Sequence, residues 1–163
     1  MMRSHRCIAW LCAAAAFILG AAALGNDATT LDRAFRRSTL QIATPDARIH
    51  RFRIWIADDD LRRARGLMFV KALDDDQGML FLYPTERHIA MWMKNTFIPL
   101  DMVFIDGEGK VREVVANTTP HSLDTIQSKD AVLAVLELKA GTAAKLNIVP
   151  GAIVMHEAFH RPP

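Results

Sequence analysis

The chain has 163 residues, 51% of them hydrophobic and 23% charged, with a formal net charge of +2. That size suits a single domain burying about two-thirds of its unfolded surface, and nothing in the near-balanced charge suggests a nucleic-acid binder, which would show a concentrated basic face. Both cysteines, Cys7 and Cys12, fall near the N-terminus, so the rest of the chain excludes disulfides, thiolate nucleophiles and cysteine metal sites.

Arg3 and Arg6 precede an uncharged apolar run from Cys7 to Leu24, and Asn26-Asp27 follow it, which is the layout of a secretory signal. Ala23-Leu24-Gly25 forms a small-x-small pattern that predicts cleavage after Gly25, making residues 1–25 a signal peptide. An uncleaved anchor is the alternative, because the run approaches the roughly 18 apolar residues at which a spanning helix begins. Leu11 before Cys12 is not small, which disfavours a lipoprotein attachment site. The expected location is therefore periplasmic or secreted, with no stable membrane span once the leader is removed. Without Arg3 and Arg6 the lysines and arginines number 18, equal to the 18 acidic residues.

Residues 26–38 are polar, with Arg33, Arg36 and Arg37 at the spacing of one helical turn, and are read as a flexible N-terminal arm. From Thr39 the pattern alternates. Leu40 and Ile42, a turn at Pro45-Asp46-Ala47, and then Ile49, Phe52, Ile54 and Ile56 predict a hairpin. Asp58-Asp59-Asp60 before Leu61-Arg62-Arg63-Ala64-Arg65-Gly66 puts acids first, bases last and glycine at the end. That order predicts a short capped helix rather than a calcium loop, whose alternating carboxylates and closing glutamate are missing. Asp74-Asp75-Asp76 reads as a solvated loop.

Gly78 to Tyr83 is apolar throughout and predicts a strand buried on both faces, broken by Pro84-Thr85-Glu86-Arg87, and Ile89 to Met93 begins another. Leu100–Ile105 and Val111–Ala116 flank Asp106-Gly107-Glu108-Gly109 as a second hairpin. Asn117 to Asp130 is a long polar loop, Ala131 to Leu138 a central strand apolar until Glu137, and Ala140 to Leu146 one or two helical turns. Pro150-Gly151 then turns the chain into a last strand, Ala152 to His156. The expected fold is α+β, a compact β-rich domain over residues 39–157 with two short helices, an antiparallel or mixed sheet able to close as a barrel, and a tail at 158–163.

Arg65-Gly66-Leu67-Met68, Gly78-Met79-Leu80-Phe81, Trp92-Met93-Lys94-Asn95-Thr96, Pro99-Leu100-Asp101 and Phe104-Ile105-Asp106 resemble the signature blocks of the domain of unknown function 192 (DUF192) family. Leu136-Glu137-Leu138 followed by Ala140-Gly141 resembles its C-terminal block. The likeness spans about Leu40 to His156. It implies a single β-rich domain often found behind a bacterial signal peptide, with no established activity. Met91 stands where the family more often has phenylalanine, and Ala152 follows Gly151 where an acidic residue is common.

The chemistry-bearing residues concentrate between Met91 and Gly107. On a strand, Trp92 and Lys94 share one face and Met91, Met93 and Asn95 the other. Trp92 and Lys94 then serve either as a stacking surface and an anion-seeking charge at one rim, or as a core ring with a lysine passing it to solvent. Asn95 and Thr96 suit a turn. Asp101 falls on the apolar face with Val103 and Ile105 and calls for a cation, Arg65 or Lys94. His88 with Met91 or Met93 suggests copper(I), although regular alternation puts His88 on the face opposite those methionines.

The nucleophile elbow, paired-histidine zinc motif, phosphate loop and dinucleotide fingerprint are all missing, and the adjacency of His121, Ser122 and Asp124 does not make a triad. The leading expectation is a non-enzymatic binding domain of the cell envelope, without cofactor or metal, whose site lies near Arg65, Trp92, Lys94, Asn95 and Asp101. Its partner would be a small molecule, a glycan or an envelope protein, and not nucleic acid. The alternatives are a small envelope enzyme using Asp101 with Lys94 or Arg65, and a copper(I)-binding protein.

Overall fold

A computed structural model describes residues 26–159. The expected leader and its cleavage point lie outside the described residues. In chain order the elements are α1 (Asn26–Ala34), β1 (Arg36–Ala43), β2 (Ile49–Ala57), α2 (Asp60–Arg65), β3 (Gln77–Arg87), β4 (Ala90–Met91), β5 (Leu100–Ile105), β6 (Val111–Val115), β7 (Ile126–Gln127), β8 (Val132–Lys139), α3 (Thr142–Lys145) and β9 (Ile153–Met155).

Seven strands form one sheet in the order β6-β5-β8-β3-β2-β1-β9, and β4 pairs with β7 outside it. Every pairing in the large sheet is antiparallel except β2 with β3, which run parallel because α2 and the following loop carry the chain across. The edges nearly meet. Val111 donates its N–H to Ala152 at 2.8 Å and Val154 donates to Gly109 at 2.7 Å, so the sheet curls into an almost closed barrel. Gly109 sits at φ +83°, and a Cβ there would stand 2.4 Å from the Val154 carbonyl, so only glycine permits that seam.

Period-two alternation sorts the side chains into two cores. Leu40, Ile42, Phe52, Ile54, Ile56, Leu80, Val103, Ile105, Leu136 and Leu138 fill the barrel. Their neighbours Trp55, Ala57, Met79, Phe81, Met102, Phe104 and Val135 face outward, under a second layer that includes Leu31, Phe35, Leu67, Val70, Leu73, Ile89, Met91 and Met93. Burial on both faces explains the unbroken apolar runs in β3, β5 and β8.

The predicted hairpins, the short capped helix, the central strand and the last strand are all present, whereas the strand expected from Ile89 to Met93 shortens to Ala90–Met91, β7 falls inside the expected 117–130 loop, Phe159 of the expected tail packs into the barrel core, and further points differ. Residues 26–38 are not an arm: α1 occupies 26–34, β1 starts at Arg36, and Leu31 (2% exposed) and Phe35 (4%) lie in the outer core. Among the described residues the helices therefore number three, not two. β3 also continues through Pro84, because its register with β8 shifts between Leu82 and Arg87 and no ladder N–H is needed from the proline. Among the described residues, no helix is long and apolar enough to cross a membrane.

Candidate functional site

The carboxylate of Asp59 accepts the Arg62 N–H at 2.7 Å and starts α2, and Gly66, at φ +47°, ends it by donating to the Arg62 carbonyl at 2.8 Å. A Cβ on Gly66 would meet the Phe81 ring at 2.8 Å, so the helix end lies directly on the sheet. This brings Arg63 and Arg65 to one side of a cavity of about 250 Å³, also lined by Phe81, Tyr83, Met91, Trp92, Lys94 and Glu137. Arg63 is committed, donating to the Leu82 carbonyl and to Asp60, both at 2.6 Å, with its guanidinium 4.9 Å from the centre of the Tyr83 ring. Arg65 lies 5.6 Å from the centre of the Phe35 ring and has no carboxylate partner among the described residues.

The opposite wall comes from residues 89–96. Only Ala90 and Met91 form a strand there, and the Thr96 N–H donates to Met93 at 3.1 Å in a turn with Asn95 at φ +57°. Met91 and Met93 are buried, while Trp92 stays 54% exposed and Lys94 points to the cavity side without a partner among the described residues. Trp92 is thus at the rim and not in the core. Asn95 organises the wall: its carbonyl accepts the Phe69 N–H at 2.9 Å, and its side-chain amide lies 3.9 Å from the Met68 sulfur. Phe69 and His121 also have positive φ, 68° and 63°, and the rings of Phe69, Phe97 and His121 stack in sequence at 5.9 and 5.2 Å. For a phenylalanine this backbone is an outlier held by its surroundings.

Glu137 forms the floor. It lies on the outward face of β8 between Met79 of β3 and Met102 of β5, is 4% exposed, and receives no hydrogen bond or ion pair among the described residues. Burial pushes its carboxyl up to about 8, so near neutral pH it holds a proton. Burial also holds the Tyr83 phenol above its ordinary value, with Glu137 a minor contributor. The sequence signal for Glu137 is a lone acid in a central strand otherwise apolar from Ala131 to Leu138, to which the sequence alone assigns no role.

Asp101 is not part of this cavity. It is fully buried on the barrel side, and its two oxygens accept the N–H groups of Asn117 and Ala143, each at 2.9 Å. The expected ion pair with Arg65 or Lys94 does not form, because backbone donors already satisfy the carboxylate. An acid–base pairing of Asp101 with either cation therefore has no geometry behind it. Of the five expected site residues, Arg65, Trp92 and Lys94 come together, Asn95 supports them from behind, and Asp101 stands apart.

The copper(I) arrangement does not assemble either. His88 Nδ1 is 3.2 Å from the Ser128 carbonyl, and the Met93 sulfur accepts the Thr118 hydroxyl at 3.2 Å deep in the core. Among the described residues, no group of three or more His, Cys, Asp or Glu is placed to hold a metal. Ser122 bonds Asp124 at 3.0 Å while His121 stacks on Phe97, so no triad forms. The aspartate triplets serve as ion-pair partners: Asp59 and Asp60 face Arg62 and Arg63, and Asp74 and Asp76 face Arg53. Lys139 and Lys145 hold the Asp75 carboxyl down at about 2.

A DUF192 family model, described as an uncharacterized ACR, matches residues 41–156. Among solved structures, a candidate transcription regulator from Sinorhizobium meliloti is 38% identical, with a TM-score of 0.73, covering 74% of this chain and 94% of its own. A protein of unknown function from Novosphingobium aromaticivorans is 34% identical, with a TM-score of 0.72, covering 75% of this chain and 86% of its own. No curated protein matches the chain.

Proposed function

The chain belongs to the DUF192 family, and from that premise we propose that it is a binding domain of the cell envelope whose cavity takes a small molecule carrying an anionic group. The observation that carries this reading is the rim. Arg65 and Lys94 are two cations without carboxylate partners among the described residues, and they flank an exposed Trp92 over a concave space. A planar guanidinium beside an ammonium suits a carboxylate, and a tryptophan face suits the body of the molecule bearing it. A cavity of about 250 Å³ falls just under the roughly 300 Å³ at which drug-sized sites begin, which favours a small ligand over a polymer. The equal numbers of basic and acidic residues beyond Arg3 and Arg6 favour it over nucleic acid. Export is proposed on the N-terminal pattern of Arg3, Arg6 and the apolar run from Cys7 to Leu24.

The test is a thermal-shift screen of small carboxylates, sugar acids and neutral sugars on the wild type and on Arg65→Ala, Lys94→Ala and the double variant. Carboxylate-bearing compounds should raise the wild-type Tm. Each single substitution should weaken binding about tenfold, by roughly 1.4 kcal/mol, and the double variant should not respond. An unchanged response in the double variant overturns the proposal, and a response to neutral sugars alone replaces the anion with a glycan.

A further inference from the structure

The cavity has a second pole that a simple anion would leave unsatisfied. The Glu137 carboxyl lines its floor, buried and without a partner among the described residues, between the apolar side chains of Met79 and Met102. A buried polar group in that condition is costly unless something bonds to it. The other titratable groups facing the same space are Tyr83 from β3, Arg63 and Arg65 from α2, and Lys94 from the opposite wall. Arg63 is occupied by the Leu82 carbonyl, Asp60 and the Tyr83 ring, and neither Arg65 nor Lys94 forms an ion pair with Glu137.

Building on the proposed anion-binding rim, we infer that the ligand is a small zwitterion, with its carboxylate held by Arg65 and Lys94 and its ammonium received by Glu137. A lone anion held at the rim would leave the neutral Glu137 carboxyl without a partner, and a lone amine would have to pass two cations to reach it. A molecule carrying both charges pairs with each pole, and discrimination arises because either half alone leaves one pole unpaired. Amino acids and short peptides are the simplest molecules of this class. Near neutral pH Glu137 carries a proton, since burial holds its carboxyl at about 8. When the ammonium arrives, that proton leaves to solvent and an ionised carboxylate remains beside the ligand's cation.

The experiment is isothermal titration of the wild-type protein at pH 7 with L-alanine, Ala-Ala, 4-aminobutyrate and 6-aminohexanoate. Each is set against a carboxylate lacking the amine and an amine lacking the carboxylate, in two buffers of different ionisation enthalpy. At least one zwitterion should bind ten-fold or more tightly than either of its halves, and the four probes identify which charge separation fits. Binding should release close to one proton, because a group titrating at about 8 is roughly nine-tenths protonated at pH 7. Glu137→Gln should abolish both the proton release and the preference for the zwitterion while still binding the simple carboxylate. Carboxylates that bind as well as every zwitterion, with no proton released, overturn this inference and leave the anion reading standing. If no carboxylate-bearing probe binds at all, both readings fall.

Discussion

Asp101 and Glu137 both interrupt apolar strands and both are buried, yet Asp101 accepts two backbone N–H groups while Glu137 has no partner among the described residues. By accepting the Asn117 and Ala143 N–H groups, Asp101 ties the loop after β6 and the start of α3 to β5. Asp101→Ala should therefore leave two buried donors without acceptors and destabilise the fold by about 2–4 kcal/mol in urea titrations, with ligand binding at Arg65 and Lys94 unchanged. A loss below about 0.5 kcal/mol, the range of ordinary surface substitutions, would contradict that role. The face on which Asp101 lies was legible from alternation with Val103 and Ile105. Its partners were not, because backbone N–H groups carry no residue identity that a sequence could flag. Arg65, Trp92 and Lys94 were legible as chemistry-bearing types, but their convergence depends on how α2 and the 89–96 wall approach each other over β3 and β8. Glu137 offered one signal, a charge in a strand buried on both faces.

Among the elements, α1 shows how packing overrides composition. Its sequence is polar and arginine-containing and by composition predicts an arm. Yet Leu31 and Phe35 enter the outer core, and Asp32 accepts the Trp55 Nε1–H at 2.8 Å while also pairing with Arg37. Arg62 of α2 donates to the Ala34 carbonyl at 3.1 Å, so the two helices brace each other beside the cavity. Isolated helices of this length are marginal, and the contacts supply what the residues alone do not. Leu31→Ala should lower stability by about 2–4 kcal/mol, measured by chemical denaturation, whereas a free arm would show no change. The capped helix α2 and the two hairpins were legible because their signals are local: an acid-to-base order ending in glycine, and glycine-bearing turns between alternating runs. The passage of β3 through Pro84 was not, since a register shift against β8 depends on a partner more than forty residues away.

For the molecule as a whole, a nearly closed barrel with its own core supports a second apolar layer on one outer face, and the cavity opens within that layer. An unpaired acid there burdens stability in a way that depends on pH. Glu137 titrates at about 8 when folded and near 4.3 when unfolded, so between those values the native chain holds the extra proton and the unfolded chain does not. The stability it allows is whole below about pH 4.3 and is lost as pH rises towards 8. The surface carboxylates act with the opposite sign and at lower pH, since their partners hold Asp32, Asp46, Asp59, Asp75 and Asp76 below the usual range. Their contribution is present above about pH 4 and fades as acid is added.

The site rests on a buried carboxyl, unpaired among the described residues, beneath two cations without carboxylate partners among them, and its most direct test is urea unfolding of the wild type and Glu137→Gln from pH 5 to pH 8. Glutamine does not titrate, so the variant should gain on the wild type by roughly 1.4 kcal/mol per pH unit through that window. A difference that stays constant from pH 5 to pH 8 would show that Glu137 ionises like an ordinary carboxylate, and the site described here would not exist in that form.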